Sequence, residues 1–423
     1  MTARQWRRRA AAAALAVAMA GLAGAPAADA DGMWITQTEL RRLPESGPAW
    51  RALKAVADEE LRRADLSNKD DRTDTRVLAA ALAYARTGEE RYRRKAAAGV
   101  MEAIGTEHGG RTLGLGRGLV SYVIAADLIK LRRFDSGKDG VFRRWLAKVR
   151  FERLRPSSRP TLAATHEVAP NNWGTMAGAS RIAADIYLGD RSDLARAAAV
   201  FKGYLGDRGA YRGFAFGEDS SWQVDPAAPV GVLPPGAFKD GHQIGGALPD
   251  DMRRGCGMRF PPCPTGYPWE AMQGAAIQAE LLSRQGYDAW NWGGQALRRA
   301  ATFLFALDRA DPGEGWAAAG NDSWIVWLLN RRYGTRFPTA TPTQPGRGMG
   351  FTDWTHGPRS RCAERNCTTP RGQRRRVAPV LGGPIGMNQD RSTDGVLGRA
   401  AVRPLAVAGL VAIIGALVLR SLR

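Results

Sequence analysis

The sequence has 423 residues and a formal net charge of +20 at neutral pH. The excess is uneven, because residues 330–423 carry sixteen arginines against four acidic residues. Residues 31–329 are only mildly basic, which argues against nucleic-acid binding, since that needs a basic face on the folded domain. The sequence therefore predicts no nucleic-acid partner.

The first 30 residues have the pattern of a secretory signal peptide. Four arginines precede an Ala/Leu/Val run from Ala10 to Ala20, and small residues follow up to Ala30. A basic start, an apolar run and a small-residue cleavage site are typical of exported proteins. We expect residues 1–30 to be removed and the protein to act in the periplasm, at the cell surface or outside the cell.

Export makes the four cysteines candidates for disulfide bonds. Cys256, Cys263, Cys362 and Cys367 allow three connectivities, of which two local loops are the simplest. The sequence contains no CxxC pair, and His166 lacks the second histidine of a zinc-protease helix. The sequence therefore predicts no metal site.

Helical periodicity runs from Glu39 to about Gly334, without sustained two-residue alternation for a sheet. Three junctions share a pattern in which a helix stops at a capping glycine: Gly88, Gly189 and Gly286. These glycines are 101 and 97 residues apart, unlike the repeat of about 34 residues in a tetratricopeptide array. We expect an all-α fold of helical hairpins, arranged as an incomplete α/α toroid with long loops over a central cleft. The predicted helices cover residues 50–61, 77–85, 92–104, 119–131, 139–150, 177–186, 192–204, 267–285, 293–307 and 320–333.

The helical signal lapses between Gly206 and Gly266, a stretch rich in glycine, proline and aromatic residues. A stretch of about sixty residues without periodicity is longer than a simple connecting loop in a compact domain. We expect a functional loop system over a cleft, with a plain surface excursion as the alternative.

The pattern changes again after residue 337, so we place the end of the folded domain there. Residues 338–403 are rich in arginine, glycine and proline and lack periodicity, which predicts a disordered linker. Residues 405–419 are uncharged and flanked by arginines. Although the run is shorter than the roughly 20 residues of a usual span, its terminal position favours a membrane anchor over residues 404–420.

The stretch Asn171-Asn172-Trp173-Gly174-Thr175 opens a long helix directly after Pro170. A carboxamide there can cap the helix. Alternatively, it can hydrogen-bond an anion at the helix N-terminus without bringing a charge of its own. Residues 171 and 172 alone favour the cap.

Two later residues favour the second interpretation. Arg254 can hold a carboxylate in a planar fork, and Tyr267 offers a phenol at the start of another helix. Together with Asn172 they suit β-elimination from a uronic acid, because the C5 proton is acidic only when the neighbouring carboxylate is neutralised. Tyr267 could then remove this proton and return one to the leaving oxygen, and no cofactor is needed.

These stretches also carry a family resemblance. Asn171-Asn172-Trp173-Gly174-Thr175 resembles the Asn-Asn-His-Gly-Thr motif of the alginate-lyase family of α/α-toroid polysaccharide lyases. Leu248-Pro-Asp-Asp-Met-Arg-Arg254-Gly255 resembles that family's Leu-Pro-x-Glu-x-x-Arg-Gly, which precedes a catalytic tyrosine. The resemblance implies that Asn172 and Arg254 neutralise the substrate while Tyr267 acts as base and acid.

The sequence departs from the family pattern at two places. Trp173 stands where the family has a histidine, so His166 or His242 replaces it, and we favour His242. Alternatively, the protein acts on a different uronate. The gap between the motif arginine and tyrosine is also longer than in the family, and we expect a disulfide loop between Cys256 and Cys263 to take up the extra length.

The other site predictions concern residues that would contact the substrate. An anionic polysaccharide is the expected partner, and the protein is expected to be a monomer. The predicted substrate-contacting residues are Asn171, Trp173, His166, Trp222 and Trp269.

Two other functions remain open. An α/α-toroid glycoside hydrolase would need two carboxylates, for which Asp250, Asp251 and Glu270 are candidates. A non-catalytic glycan-binding or cell-wall-binding protein would use the basic tail to hold an anionic polymer.

Overall fold

Local sequence signals set the helix boundaries in the computed structural model, which describes residues 32–155 and 159–358. Side chains of Asp135, Thr161 and Asn171 each accept a backbone N–H at a helix start. Gly88 and Gly189 end their helices in the left-handed conformation that favours glycine.

The described chain forms fifteen α-helices, two short 3₁₀ turns and one two-stranded hairpin. The helices are α1 (Gln37–Arg41), α2 (Gly47–Asp58), α3 (Thr73–Thr87), α4 (Glu90–Glu102), α5 (Thr112–Leu128), α6 (Leu131–Phe134), α7 (Ser136–Val149), α8 (Leu162–Val168), α9 (Asn172–Leu188), α10 (Arg191–Tyr204), α11 (Pro249–Met252), α12 (Tyr267–Arg284), α13 (Trp292–Ala310), α14 (Ser323–Tyr333) and α15 (Thr352–Thr355). The 3₁₀ turns cover Ala289–Asn291 and Gly320–Asp322, and the strands are β1 (Phe238–Lys239) and β2 (His242–Gln243).

The buried helices form a curved row in which α3 packs on α5, α5 on α9, α9 on α12, and α12 on α14. Glycines permit the close contacts within this row. A Cβ on Gly274 of α12 would lie 2.2 Å from the carbonyl carbon of Thr175 in α9. The other long helices connect consecutive members of the row, as in a toroid of helical hairpins. The predicted all-α toroid fold is confirmed.

The helices α5, α9 and α12 run parallel. Near their N-termini, the side chain of Glu270 in α12 accepts hydrogen bonds from Arg117 of α5 and Asn172 of α9. Their C-terminal ends line one cavity of about 630 Å³, which includes Asp127, Tyr187 and Gln285. All three N-termini therefore meet at the same end of the row.

The row is completed by the closing segment, which we define as residues 344–356. Met349, Phe351 and Trp354 of this segment are buried, and the Trp354 indole N–H donates to the Pro44 carbonyl at 2.9 Å. Ser121 of α5 donates to the carbonyl of Gly348 at 2.9 Å. The segment therefore packs against α5 and α14, and it also contacts α2.

The closing segment corrects the predicted domain boundary at residue 337. Residues 344–356 belong to the packed domain and are not a disordered linker, and residues 338–343, which lead into them, are mostly exposed. The prediction is wrong here because isolated apolar anchors in irregular backbone produce no periodicity for a sequence pattern to reveal. The rest of the predicted linker lies outside the described residues.

The long loop between α10 and α11 lies against the C-terminal end of α8, just before α9 begins. Its Ala215 N–H donates to the Val168 carbonyl at 2.8 Å, and the Tyr211 hydroxyl donates to the Glu167 carbonyl at 2.7 Å. The hairpin β1–β2 is part of this loop, with Phe238 paired with Gln243.

None of the described helices is long and apolar enough to cross a membrane. The predicted signal peptide at residues 1–30 and the predicted anchor at residues 404–420 lie outside the described residues.

Candidate active site

The Asn171-Asn172 pair starts α9, and its two carboxamides have different environments. The Asn171 Oδ1 accepts the Trp173 N–H at 3.1 Å, which caps the helix, and its Nδ2 donates to Asp250 Oδ2 at 2.6 Å. Asn171 is therefore a buried cap, and its side-chain contacts support a structural role rather than the predicted contact with substrate. The Asn172 amide has different partners, Glu270 and Arg254.

Two aspartates bind the loop around α11 to the start of α9. Besides the Asn171 contact, Asp250 Oδ1 accepts the N–H of Gly217 at 3.1 Å. Asp251 Oδ1 accepts the backbone N–H of Asn172 at 3.2 Å. Both aspartates are buried, and burial together with Asp250 raises the pKa of Asp251 well above its usual range. They are placed to organise the site rather than to contact a sugar.

The three residues that the motifs predict come together at this end of the row. Arg254 Nη1 donates to Asn172 Oδ1 at 2.7 Å. The guanidinium carbon of Arg254 lies 3.3 Å from the centroid of the Tyr267 ring. Asn172 is almost fully buried, whereas Arg254 and Tyr267 are partly exposed. An amide, a guanidinium and a phenol therefore share one solvent-facing corner.

Glu270 is one helical turn after Tyr267 and faces the same corner. Its Oε2 accepts the Asn172 Nδ2 at 2.6 Å and the Arg117 Nη2 at 2.6 Å. Arg347 Nη1 of the closing segment lies 3.7 Å from Glu270 Oε1. We did not predict the parts played by Arg117 and Arg347, although a single arginine in the apolar run of α5 was a usable signal.

Neither candidate histidine replaces the family histidine by direct contact with this cluster. His166 is buried beneath Gly178, where burial lowers its pKa well below the usual range. His242 is exposed and stacks on the Phe260 ring at a centroid distance of 3.9 Å. The prediction that His166 contacts substrate is wrong, because its side chain is enclosed by the core.

The three tryptophans predicted to contact sugar rings separate into two groups. Trp222 and Trp269 are core residues, whose indole N–H groups donate to the carbonyls of Cys256 and Trp316. Their predicted contact with substrate is wrong. Trp173 is half-buried beside the site, with the Arg159 guanidinium 5.8 Å from its ring centroid.

A disulfide joins Cys256 and Cys263 in the loop between Arg254 and Tyr267. It spans the extra length of this sequence relative to the family motif. Cys362 and Cys367 lie outside the described residues. Within residues 32–155 and 159–358, no group of three or more His, Cys, Asp or Glu side chains is arranged to hold a metal ion.

The fold and the site define a class: an α/α toroid with an amide, a guanidinium and a phenol at the N-terminal ends of its inner helices. The sequence model of the alginate lyase family matches residues 47–314, and the chain belongs to this family. Membership supports a polysaccharide lyase at the level of the family. No curated protein and no solved structure has significant similarity to the chain.

Proposed function

We propose that this protein cleaves a uronate-containing polysaccharide, such as alginate or glucuronan, by β-elimination. The observation that supports the proposal is the cluster of Asn172, Arg254 and Tyr267, in which Arg254 contacts both of the other residues. These three groups supply both requirements of the reaction, which are charge neutralisation and proton transfer.

Neutralisation of the uronate carboxylate falls to Arg254 and Asn172. A guanidinium carries five N–H donors, and Arg254 is partly exposed while giving one of them to Asn172. The Asn172 Nδ2 carries two hydrogens and gives one to Glu270. A carboxylate bound by the remaining donors would share its charge with them, which stabilises the enolate that forms when C5 loses its proton.

Proton transfer falls to Tyr267. The deprotonated phenol takes the C5 proton, the C5–H electron pair forms the C4–C5 double bond, and the C4–O bond breaks. The phenol then returns the proton to the leaving oxygen, so that one polymer becomes an unsaturated uronate end and a new hydroxyl end. The Arg254 guanidinium lies over the ring and holds the phenol in place.

A single phenol acting as base and acid has a stereochemical consequence. It must reach the C5 hydrogen and the C4 oxygen from the same face of the sugar. These two atoms are on the same face in D-mannuronate and D-glucuronate and on opposite faces in L-guluronate. We therefore propose polymannuronate or glucuronan stretches as substrates.

Tyr267→Phe and Asn172→Ala test the proposal. Each should lower the rate of unsaturated product formation by about 100- to 1000-fold, the usual effect of losing one transition-state contact. The near-ultraviolet absorbance of the product, measured with polymannuronate, polyguluronate and glucuronan, follows the reaction. Tyr287→Phe, at the far end of α12, is the matched control and should keep the native rate. Native rates in both site variants would refute the mechanism.

The two alternative functions have less support. A glycoside hydrolase would need a pair of accessible carboxylates. Of the three candidates, Asp250 and Asp251 are buried and occupied by hydrogen bonds, which leaves Glu270 without an accessible partner among them. A pure glycan-binding protein would bind polymer and yield no product. We also propose that the enzyme is exported and tethered through residues 404–420, and this rests on the sequence pattern alone.

A further inference from the structure

A protein carboxylate occupies one side of the Asn172 amide. Glu270 Oε2 accepts the amide N–H at 2.6 Å, and Arg254 donates to the amide oxygen from the other side at 2.7 Å. The amide is almost fully buried between the two charged groups. Its orientation is therefore decided by those two neighbours.

The two neighbours permit one orientation only. A guanidinium can only donate hydrogen bonds, and an ionised carboxylate can only accept them. A flipped amide would direct its N–H groups at Arg254 and its oxygen at Glu270, so both contacts would become repulsive. The observed orientation turns the amide nitrogen, which is the part able to bind a substrate carboxylate, toward Glu270.

Glu270 is itself held by two arginines. Arg117 is buried and donates to Glu270 Oε2 at 2.6 Å. Arg347 lies 3.7 Å from Glu270 Oε1 and 3.2 Å from Asp70 Oδ1. These cations offset the negative charge that Glu270 would otherwise place beside an anionic substrate. Arg347 belongs to the closing segment, beyond the family match at residues 47–314.

We propose that Glu270, held by Arg117 and Arg347, is a positioning residue that fixes the carboxamide of Asn172 for the elimination. The proposal rests on the proposed function, because it requires Asn172 to bind the uronate carboxylate. Glu270 acts through Asn172 and does not touch the reacting atoms. The closing segment thereby contributes to the site through Arg347.

A double-mutant cycle on the full-length protein tests the proposal, with polymannuronate and glucuronan as substrates. Glu270→Gln should lower kcat by about 10- to 100-fold, the usual effect of losing an orienting partner, with a smaller change in KM. In the Asn172→Ala background the same change should have no further effect, because its target is absent. Glu89→Gln, which breaks an exposed Glu–Arg pair at the start of α4, should change neither constant.

Glu270→Asp distinguishes positioning from folding. It keeps a negative charge for Arg117 but is one methylene shorter, so the contact with Asn172 lengthens. We expect the kcat loss to persist while the melting temperature stays close to native. Equal losses from Glu270→Gln with and without Asn172 would show a direct role on the substrate and overturn the proposal, as would a native kcat in both Glu270 variants. A fully active Asn172→Ala enzyme would instead refute the proposed function itself.

Discussion

Two glutamates on α12 have similar charged surroundings but different positions. Glu270 and Glu280 are ten residues apart, or about 15 Å along the helix. Each is contacted by arginines and by the closing segment, through Arg347 in one case and His356 in the other. The Glu270 side chain is 23% exposed and contacts Asn172, whereas Glu280 is fully buried. A glutamate paired with arginines therefore supports the site at one end of α12 and the fold at the other.

The cluster around Glu280 shows how such an arrangement is built where it supports the fold rather than the site. Arg284 Nε donates to Glu280 Oε1 at 2.7 Å, Arg332 Nε donates to Oε2 at 2.6 Å, and His356 Nε2 lies 3.7 Å from Oε1. Burial opposes ionisation, but the neighbouring His356, Arg332 and Arg284 outweigh it and hold the pKa of Glu280 well below its usual range. The buried charge is compensated on several sides and is closed to a ligand.

Removing the closing segment would break both clusters and should have the largest effect. A chain that ends at residue 343 loses Arg347 and His356 together with the buried anchors Met349 and Trp354. Each large apolar side chain removed from a core costs about 3–5 kcal/mol. We expect the stability to fall by more than about 5 kcal/mol, which is enough to unfold many domains. Urea unfolding followed by circular dichroism measures this loss.

A chain that ends at Pro358 is the control for this truncation, because it keeps the whole closing segment. Its stability should equal that of the longer chain. A cooperative, native-like unfolding transition in the chain ending at residue 343 would show that the closing segment is dispensable. The domain would then end near residue 337, as the sequence pattern predicts.

Glu280→Gln should separate stability from activity. Breaking a buried ion pair by removing one partner costs about 3–5 kcal/mol. The rate measured well below the melting temperature should stay near native, in contrast to Glu270→Gln. A strong loss of rate with little loss of stability would show that the Glu280 cluster supports activity, as the Glu270 cluster is proposed to do.

Glu280→Gln should also change how the free energy of unfolding depends on pH. The pKa of Glu280 is lowered in the folded state from its ordinary value of 4.5. Its stabilising contribution is therefore present above pH 4.5 and is lost as the pH falls toward the folded-state value. The native protein should lose stability faster than Glu280→Gln below pH 4.5, so the two curves converge in acid. Parallel curves of unfolding free energy against pH would contradict the assignment.

The sequence was sufficient for the ten long helices but not for the five short ones, and the three residues named by motifs lie together in the structure. Helical periodicity is local, and Asn172, Arg254 and Tyr267 stand in short stretches that resemble a family. Arg117 and Arg347 were missed because their contacts with Glu270 cross 153 residues in one case and 77 in the other. Such contacts depend on how helices align in the packed row, which no local pattern encodes.

The incorrect predictions have a related cause. Trp222 and Trp269 were expected to contact sugar, but an aromatic residue near a site has the same sequence signature whether it packs inward or outward. Both pack inward in the structure. The closing segment was expected to be a linker because its buried residues are separated by glycine and proline. Whether isolated apolar residues are buried depends on the surface they pack against, so composition alone could not predict that this segment is packed.

The smallest expected effect concerns His242, the predicted substitute for the family histidine. His242 is exposed and stacks on Phe260, whereas Glu270 and Asn172 are joined by a hydrogen bond inside the site. Because a stacked surface ring has no contact with the Asn172 amide among the described residues, His242→Ala should change kcat by less than about twofold. Steady-state kinetics between pH 5 and pH 9 check this, with the native protein as reference. A loss comparable to that of Tyr267→Phe, together with a missing acidic limb in the pH profile, would instead place His242 in proton transfer and extend the site to the β1–β2 hairpin.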